Sequence, residues 1–88
     1  MSALSSIKER GKMLVTIKCN LKAFRKGRGL TQAELSKLSG VSRVRIAAYE
    51  TGSCQMPIAN AVFLAHVLEC NWWELFTVTL DVLENGEI

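Results

Sequence analysis

The stretch that decides the fold is LTQAELSKLSGVSRVRIAAYETG, residues 30–52. Thr31 and Glu34 have the spacing of a capping box, in which each side chain bonds to the backbone of the other residue and a helix begins. Gly40 is typical of the left-handed residue that ends a helix, and Ser42 is a favourable N-cap for a second helix. The stretch therefore predicts two short helices joined by a tight turn, which is a helix-turn-helix.

The apolar residues of this stretch have helical spacing. Leu35 and Leu38 are expected to form the buried edge of the first helix, and Ile46 and Tyr49 the core face of the second. Gly52 is expected to end the second helix.

The flanking sequence predicts three more short helices. Residues 21–29 (LKAFRKGRG) carry apolar residues on one helical face and end in glycine. Pro57 suits the start of a helix that runs through Cys70. Residues 71–74 (NWWE) open a further short helix in capping-box style. The prediction is an all-α fold with five helices.

Two segments have the composition of strands. Residues 13–19 (MLVTIKC) are rich in β-branched residues, and residues 76–83 alternate apolar with polar side chains. Residues 1–12 show no periodicity and are expected to be a flexible extension. The prediction is thus one compact domain over 13–83, with the helix-turn-helix at about 31–51 and a C-terminal tail at 84–88.

Charge is distributed unevenly along the chain. Residues 1–52 contain all eleven Lys and Arg and three acidic residues, a net charge of +8, whereas residues 53–88 contain five acidic residues and no Lys or Arg. A basic half of this kind is typical of proteins that bind a polyanion, most often nucleic acid. A merely solvated surface would carry mixed signs.

Other classes of protein find little support in the sequence. Cys19, Cys54 and Cys70 lack metal-binding spacing, and His66 with Cys70 supplies only two ligands, so we expect neither a metal nor another cofactor. A single histidine offers no catalytic set, which argues against an enzyme. The apolar run Leu14–Ile17 is too short to span a membrane, and we expect a cytoplasmic protein without a membrane partner.

Residues 30–52, together with Pro57 and the segment LAHVLECNWWEL, resemble the lambda-repressor/Cro-type helix-turn-helix family, often called the XRE family. The resemblance extends from about Leu21 to Phe76. It implies a lambda-repressor-like fold and a transcriptional regulator that binds specific sequences of double-stranded DNA. Such a regulator would be a phage or prophage repressor or a small bacterial protein, associated with the nucleoid. Helix 42–51 is expected to enter the major groove.

The resemblance also assigns base contacts. Ser42, Arg43 and Val44 match the first-turn positions that face base edges in the family. Arginine is the usual reader of guanine, and valine suits a thymine methyl group. Ala48 matches a base-contact position that in the family often holds a longer polar residue, so only a methyl contact or a close approach is left there.

Phosphate contacts and one ion pair follow in the same way. Gln32, Arg45 and Thr51 match phosphate-contacting positions, and Gln32 also braces the recognition helix. Basic residues of the first helix are further candidates for phosphate contacts, with a solvated surface as the alternative: Lys22, Lys26 and Arg28. Arg25 and Glu50 match a half-buried ion pair that links the first and third helices.

The C-terminal part of the sequence bears on assembly. An apolar stripe along strand 76–83 would be a liability on a free edge, which favours pairing within the chain or across the two-fold axis of a homodimer. Trp72 and Trp73 cannot both face inward from one short helix, so one either marks a partner surface or is a surface aromatic without a partner. The alternative function is an antitoxin or antirepressor-type protein-interaction module, which would use these residues to bind a protein partner.

Overall fold

The computed structural model describes residues 5–11 and 13–82. The predicted tail at 84–88 lies outside these residues, as do residues 1–4 and residue 12 of the predicted extension. The elements follow in chain order: β1 (Ser5–Arg10), β2 (Met13–Cys19), α1 (Leu21–Gly27), α2 (Gln32–Ser39), α3 (Arg43–Thr51), α4 (Ile58–Leu68), a 3-10 helix (Trp72–Leu75) and β3 (Phe76–Val82).

The prediction of five helices is wrong. The described residues contain four α-helices, and the predicted fifth helix is a single 3-10 turn over Trp72–Leu75. Its capping box is present, but the chain becomes extended directly after Leu75, which leaves no room for further helical turns. The strands predicted at 13–19 and 76–83 are present as β2 and β3, and with β1 they form a three-stranded antiparallel sheet in the order β1-β2-β3.

Strand β1 lies within the segment expected to be a loose extension. Arg10 pairs with Met13 across a tight turn, and Gly11 in this turn has a φ of 58°, a conformation that glycine adopts without strain. The sequence SSIKER lacks the alternation of a strand. Pairing with β2 therefore places these residues in the sheet, although their own pattern does not predict it.

The register of β2 with β3 separates apolar from polar residues. Met13 pairs with Val82, Val15 with Leu80, and Ile17 with Val78. Directly paired residues share a face, so within the β2–β3 pair these six apolar residues lie on one face, and we call them the apolar sheet face. On its other edge β2 pairs with β1, where Lys8 is opposite Val15 and Arg10 is opposite Met13. The opposite face carries Leu14, Thr16, Lys18, Thr77, Thr79 and Asp81.

Caps fix both helices of the helix-turn-helix. The Thr31 side chain accepts a hydrogen bond from the Glu34 amide, and the Glu34 carboxylate accepts one from the Thr31 amide. Gly40 ends α2 with a φ of 80°, where a side chain would be strained. The Ser42 hydroxyl then caps α3 by accepting from the Arg45 amide. The turn geometry is thus set by local chemistry.

A single core holds the helices together. The largest fully buried side chains include Leu21 of α1, Leu35 of α2 and Ile46 of α3. Tyr49 is also buried, and its hydroxyl accepts a hydrogen bond from Asn60 at 2.7 Å. Leu38, expected at the buried edge of α2, is instead 61% exposed, because the inward side of this helix runs from Leu35 to the half-buried Ser39, four residues later, and Leu38 lies outside that side.

The described residues lack two further kinds of feature. Within 5–11 and 13–82, no helix is long and apolar enough to cross a membrane. The same residues contain no group of three or more His, Cys, Asp or Glu side chains that could hold a metal ion.

Candidate nucleic-acid interface

The first turn of α3 is presented to solvent. Ser42, Arg43, Val44 and Arg45 are all exposed, and Val44 is 80% exposed. The first turn of α3 contains no acidic residue, and neither arginine is in an ion pair within the described part of the chain. Two guanidinium groups at the positive end of a helix dipole repel that end, so this turn concentrates positive potential at the surface.

The opposite side of α3 holds the helix against the core. Ile46, Tyr49 and Glu50 are buried, and Ala47 and Ala48 are half-buried. Helical spacing therefore separates the exposed arginines from the anchoring residues. Because an alanine extends only a methyl group, Ala48 leaves the middle of the helix open to close approach by another molecule.

Thr51 is exposed at the C-terminal end of α3 and is already hydrogen-bonded. Its hydroxyl donates to the Ala48 carbonyl at 3.2 Å and lies 2.8 Å from the Ser53 hydroxyl. A hydroxyl has only one proton to donate. The Thr51 hydroxyl can therefore accept a further hydrogen bond. It can donate one to another molecule only after it rotates away from the Ala48 carbonyl.

A buried ion pair lies behind α3. Arg25 Nε donates to Glu50 Oε2 at 2.6 Å, and Arg25 Nη2 donates to Glu50 Oε1 at 3.0 Å. Arg25 Nη1 donates to the Leu30 carbonyl at 2.7 Å. The bidentate geometry with Glu50 is the strongest form of arginine–carboxylate contact. Together the three hydrogen bonds of Arg25 join α1, the loop before α2, and α3.

Gln32 is connected to the same carboxylate. Its Nε2 donates to Glu50 Oε1 at 3.0 Å, which ties the first residue of α2 to α3. The side-chain amide has a second hydrogen and a carbonyl oxygen that this bond does not use. Gln32 is half-buried, so one side of it faces Glu50 and the rest is accessible at the start of α2.

These contacts set the ionisation of Glu50. Burial alone would raise the pKa of its carboxyl group. The hydrogen bonds from Arg25 and Gln32, with the positive charges of Arg25 and Lys22, outweigh burial and hold that pKa below its ordinary value. The hydrogen bond between Arg25 and Glu50 also raises the pKa of the Arg25 guanidinium. The pair is therefore fully charged at neutral pH.

Three lysines lie beside this network. Lys22 and Lys26 of α1 line a surface cleft of about 430 Å³ together with Lys18 of β2 and Glu50. Lys18 was missed in the sequence, because its position next to α1 depends on the end of β2 packing beside that helix. Since Arg25 already neutralises Glu50, the lysines give the cleft a net positive charge.

Arg28 lies apart from that cleft. Its Nη2 forms an ion pair with Glu69 Oε1 at the end of α4, and both side chains are substantially exposed. Glu69 has a φ of 57° at this helix end. Of the three cations expected on α1, Lys22 and Lys26 thus share one cleft, whereas Arg28 contacts α4.

The helix-turn-helix region of this chain matches a known family. A family model described as Helix-turn-helix matches residues 21–72, which is more than half of the chain, and the chain belongs to this XRE-type family. The family consists of DNA-binding transcriptional regulators, and the chain is one of these rather than an enzyme. The fold is a lambda-repressor-like helix-turn-helix domain.

Three solved structures are similar to this chain. The restriction-modification controller protein C.AhdI from Aeromonas hydrophila is 32% identical over 64% of this chain and 85% of its own, with a TM-score of 0.61. A hypothetical transcription factor, NHTF, from Neisseria is 27% identical over 64% of each chain, with a TM-score of 0.60. SinR, a master regulator for biofilm formation solved in complex with DNA, is 25% identical over 62% of this chain and 89% of its own, with a TM-score of 0.60. A search of curated proteins found no significant match.

Proposed function

We propose that this chain regulates transcription by binding specific sequences of double-stranded DNA, with α3 in the major groove. The observation that carries the proposal is the exposed, doubly basic first turn of α3, held from behind by the buried pair of Arg25 and Glu50. A rigid helix whose N-terminal turn faces outward has the geometry of a recognition helix. The similar structure of SinR, solved in complex with DNA, supports the same function.

The proposed base contacts come from one side of α3. Arg43 donates two hydrogen bonds to a guanine, and Val44 packs against a thymine methyl group. Ser42 lies at the helix start, where its hydroxyl reaches a neighbouring base edge, although the same oxygen also caps the helix. Ala48 contributes close approach and a methyl contact.

The proposed phosphate contacts surround these base contacts. Arg45 flanks the groove from α3, as does Thr51 once its hydroxyl turns from the Ala48 carbonyl to donate to a phosphate. Gln32 uses its second amide hydrogen together with the backbone amides at the start of α2. Lys22 and Lys26 are close enough to Glu50, and so to Gln32, to extend this phosphate track. Arg28 can contact a phosphate only if its ion pair with Glu69 breaks, so we consider it a weaker candidate for a phosphate contact than the two lysines.

The test is DNA binding measured by fluorescence anisotropy at several salt concentrations. A duplex selected from a random pool should bind, and the logarithm of its binding constant should fall with the logarithm of salt concentration by about 0.9 for each phosphate contact. Two results would reject the proposal. One is no DNA binding at low salt, and the other is a binding constant that does not change with salt concentration.

We further propose that the regulator acts as a homodimer, since paired half-sites on DNA require two recognition helices. Trp73 and β3 are among the exposed apolar features available for this assembly, and Trp72 is half-buried beside them. These features also favour a second candidate function, an antitoxin or antirepressor-type module that binds a different protein. Co-purification of an unrelated chain in stoichiometric amount would favour that second function.

A further inference from the structure

The sheet supplies part of the basic cleft beside α1. Lys18 and Cys19 at the end of β2 line this cleft of about 430 Å³ together with Lys22 and Lys26 of α1 and Glu50 of α3. The family model begins only at residue 21. Lys18 therefore lies outside the part of the chain that the family match covers, and the three-dimensional structure alone brings it to the other two lysines.

The positive charge of the cleft is not neutralised by the protein. Lys18, Lys22 and Lys26 are all exposed, and in the portion of the chain that the structure describes none of them forms an ion pair. Glu50 is the one acidic residue among the described residues that line the cleft, and both of its carboxylate oxygens accept hydrogen bonds from Arg25. A concave surface with three free ammonium groups concentrates positive potential and attracts an anion.

Hydrogen bonds fix the end of β2 beside α1. Asn20, the residue directly before α1, donates from its side-chain amide to Thr77 Oγ1 at 2.9 Å and to the Glu74 carbonyl at 3.2 Å. Its backbone amide donates to the Leu75 carbonyl at 2.8 Å. Lys18 is paired with Thr77 in the sheet, so these contacts also hold the backbone from which the Lys18 side chain extends. The fold thus sets the position of Lys18 relative to α1.

The cleft adjoins the helix-turn-helix. Glu50 lines the cleft and also accepts a hydrogen bond at 3.0 Å from Gln32, for which a phosphate contact is proposed. A single carboxylate therefore separates the cleft from the start of α2. Successive phosphates of one DNA strand are only about 3.4 Å apart along the helix axis. A strand that passes Gln32 therefore brings a neighbouring phosphate to the cleft.

The far end of the same sheet face carries the opposite charge. Lys18 shares this face with Thr77, Thr79 and Asp81. Asp81 is exposed and lies four residues beyond Thr77 along β3, a distance of roughly 13 Å. A phosphate backbone is attracted at Lys18 and repelled at Asp81. Contact of DNA with the sheet is therefore limited to the end nearest α1.

From these observations we infer that the cleft is a phosphate-binding site, in which Lys18 of the sheet joins Lys22 and Lys26 of α1 around one phosphate of the DNA backbone. Lysine suits this role because its ammonium group is a compact point charge with three donors on a flexible stem. The inference deepens the proposed function and rests on it. It extends the proposed DNA-binding surface from the helices onto the sheet.

The first test removes the charge of Lys18 from the full chain. Lys18→Gln is compared with Lys37→Gln, which removes the same charge from an exposed position in the last turn of α2, outside the cleft. In fluorescence anisotropy over a salt series, Lys18→Gln should show a salt slope smaller than that of the wild type by about 0.9 and an equal loss of affinity on every duplex. Lys37→Gln and Lys18→Arg should keep the wild-type slope.

Folding is checked by far-UV circular dichroism and thermal melting of each variant. Lys18→Thr is the second uncharged variant, since threonine is well suited to a strand. It should show the same smaller salt slope as Lys18→Gln.

The second test distinguishes a direct contact from a general effect of charge. Single phosphates of the selected duplex are replaced, one position at a time, by neutral methylphosphonates. At the phosphate held in the cleft, this replacement should weaken binding of the wild type more than that of Lys18→Gln. At the other positions it should weaken both proteins equally, because only groups in contact show non-additive effects.

Other outcomes overturn the inference. A wild-type slope in folded Lys18→Gln, or a loss that differs among duplexes, excludes a contact of Lys18 with a backbone phosphate. An equal decrease of slope in Lys37→Gln, or a methylphosphonate effect that is the same in both proteins at every position, shows that Lys18 acts only through the total charge of the protein.

A free phosphate compound is the other source of the same chemistry. Titration with inorganic pyrophosphate, followed by heteronuclear NMR, tests for it. Saturable shifts at Lys18, combined with wild-type DNA binding by Lys18→Gln, assign the cleft to a free ligand and overturn the contact with DNA. A wild type that binds no duplex at low salt rejects the proposed function itself, whereas equal DNA binding by the wild type and Lys18→Gln rejects only the role of the cleft.

Discussion

Arg43 carries its charge at the N-terminal end of α3, where the helix dipole disfavours a cation by roughly 0.3–1 kcal/mol. Arg45, two residues later, adds to the same cost. Within the described residues neither guanidinium has an acidic partner that would offset it. In the proposed complex DNA supplies the missing negative charge, and the cost in the free protein is recovered on binding. Residues that break a local rule in this way are expected at functional sites.

Arg43→Ala is the variant that tests base reading. We expect a loss of about 1–3 kcal/mol on the preferred duplex and relaxed preference at one base pair, because the bidentate contact to guanine is removed. Arg45→Ala is the matched control, with a nearly equal loss on all duplexes and a salt slope smaller by about one. Fluorescence anisotropy on duplexes that differ at single positions measures both. If Arg43→Ala lost affinity equally on every duplex, Arg43 would be a phosphate contact instead.

Glu50→Gln tests the buried pair behind α3. At neutral pH we expect the free energy of unfolding to fall by about 3–5 kcal/mol, because Arg25 is left buried without its counter-charge. Glu69→Gln is the control, since it breaks the exposed pair with Arg28 and should cost less than about 1 kcal/mol. Urea denaturation of the three proteins gives these differences.

The effect of Glu50→Gln on the free energy of unfolding should depend on pH. The pKa of Glu50 in the folded protein lies below its ordinary value, so the carboxylate adds stability above the unfolded pKa of about 4.3. That stability is lost as the pH falls through the folded pKa. The difference in the free energy of unfolding between the wild type and Glu50→Gln should therefore become smaller as the pH is lowered below about 4.3. A gap that stays constant down to the pH of acid unfolding would show that the charge of Glu50 is not what stabilises the fold.

At the scale of elements, the start of α3 has two roles that substitutions can separate. Ser42 caps the helix through its hydroxyl, and we also propose it at the DNA surface. Ser42→Ala should lower the free energy of unfolding by about 1 kcal/mol, since the Arg45 amide loses its acceptor. Ser42→Asp should keep the stability of the wild type, because aspartate caps as well as serine.

Ser42→Ala and Ser42→Asp should rank in the opposite order when DNA affinity is measured instead of stability. Ser42→Asp places a carboxylate at the proposed DNA surface and should weaken binding by tenfold or more, whereas Ser42→Ala should weaken it less. Anisotropy and urea denaturation on the same samples give the comparison. Wild-type affinity in Ser42→Asp would contradict insertion of the N-terminal turn of α3 into the groove.

The elements that could be predicted are those defined by local chemistry. The capping residues Thr31 and Ser42 and the left-handed Gly40 locate α2 and α3 to within a residue. Strand β1 escaped prediction because its place depends on pairing with β2 and on the turn at Gly11. The capping box at Asn71 correctly predicts that a helix begins, but no local signal sets its length, which the start of β3 limits to one turn.

At the scale of the whole molecule, the sequence predicts a basic half but not how its charges are grouped. The pairing of Arg25 with Glu50 follows from family resemblance and is present in the structure. Packing alone decides that Lys18 joins Lys22 and Lys26, and that Arg28 turns to Glu69. Leu38 shows the same limit, since helical spacing allows either Leu38 or Ser39 to lie on the side of Leu35, and packing selects Ser39. Long-range contacts therefore account for most of what could not be predicted.

The exposed first turn of α3 has a consequence for how such regulators diversify. Arg43 and Val44 face solvent, while Ser42 caps the helix and Ile46 and Tyr49 fix it to the core. Exchanges at positions 43 and 44 should therefore lower the free energy of unfolding by no more than about 0.5 kcal/mol. A duplicated gene is then free to acquire a new operator by one or two substitutions without first gaining stability to tolerate them. The same separation lets an engineer retarget the protein from a small library at two positions.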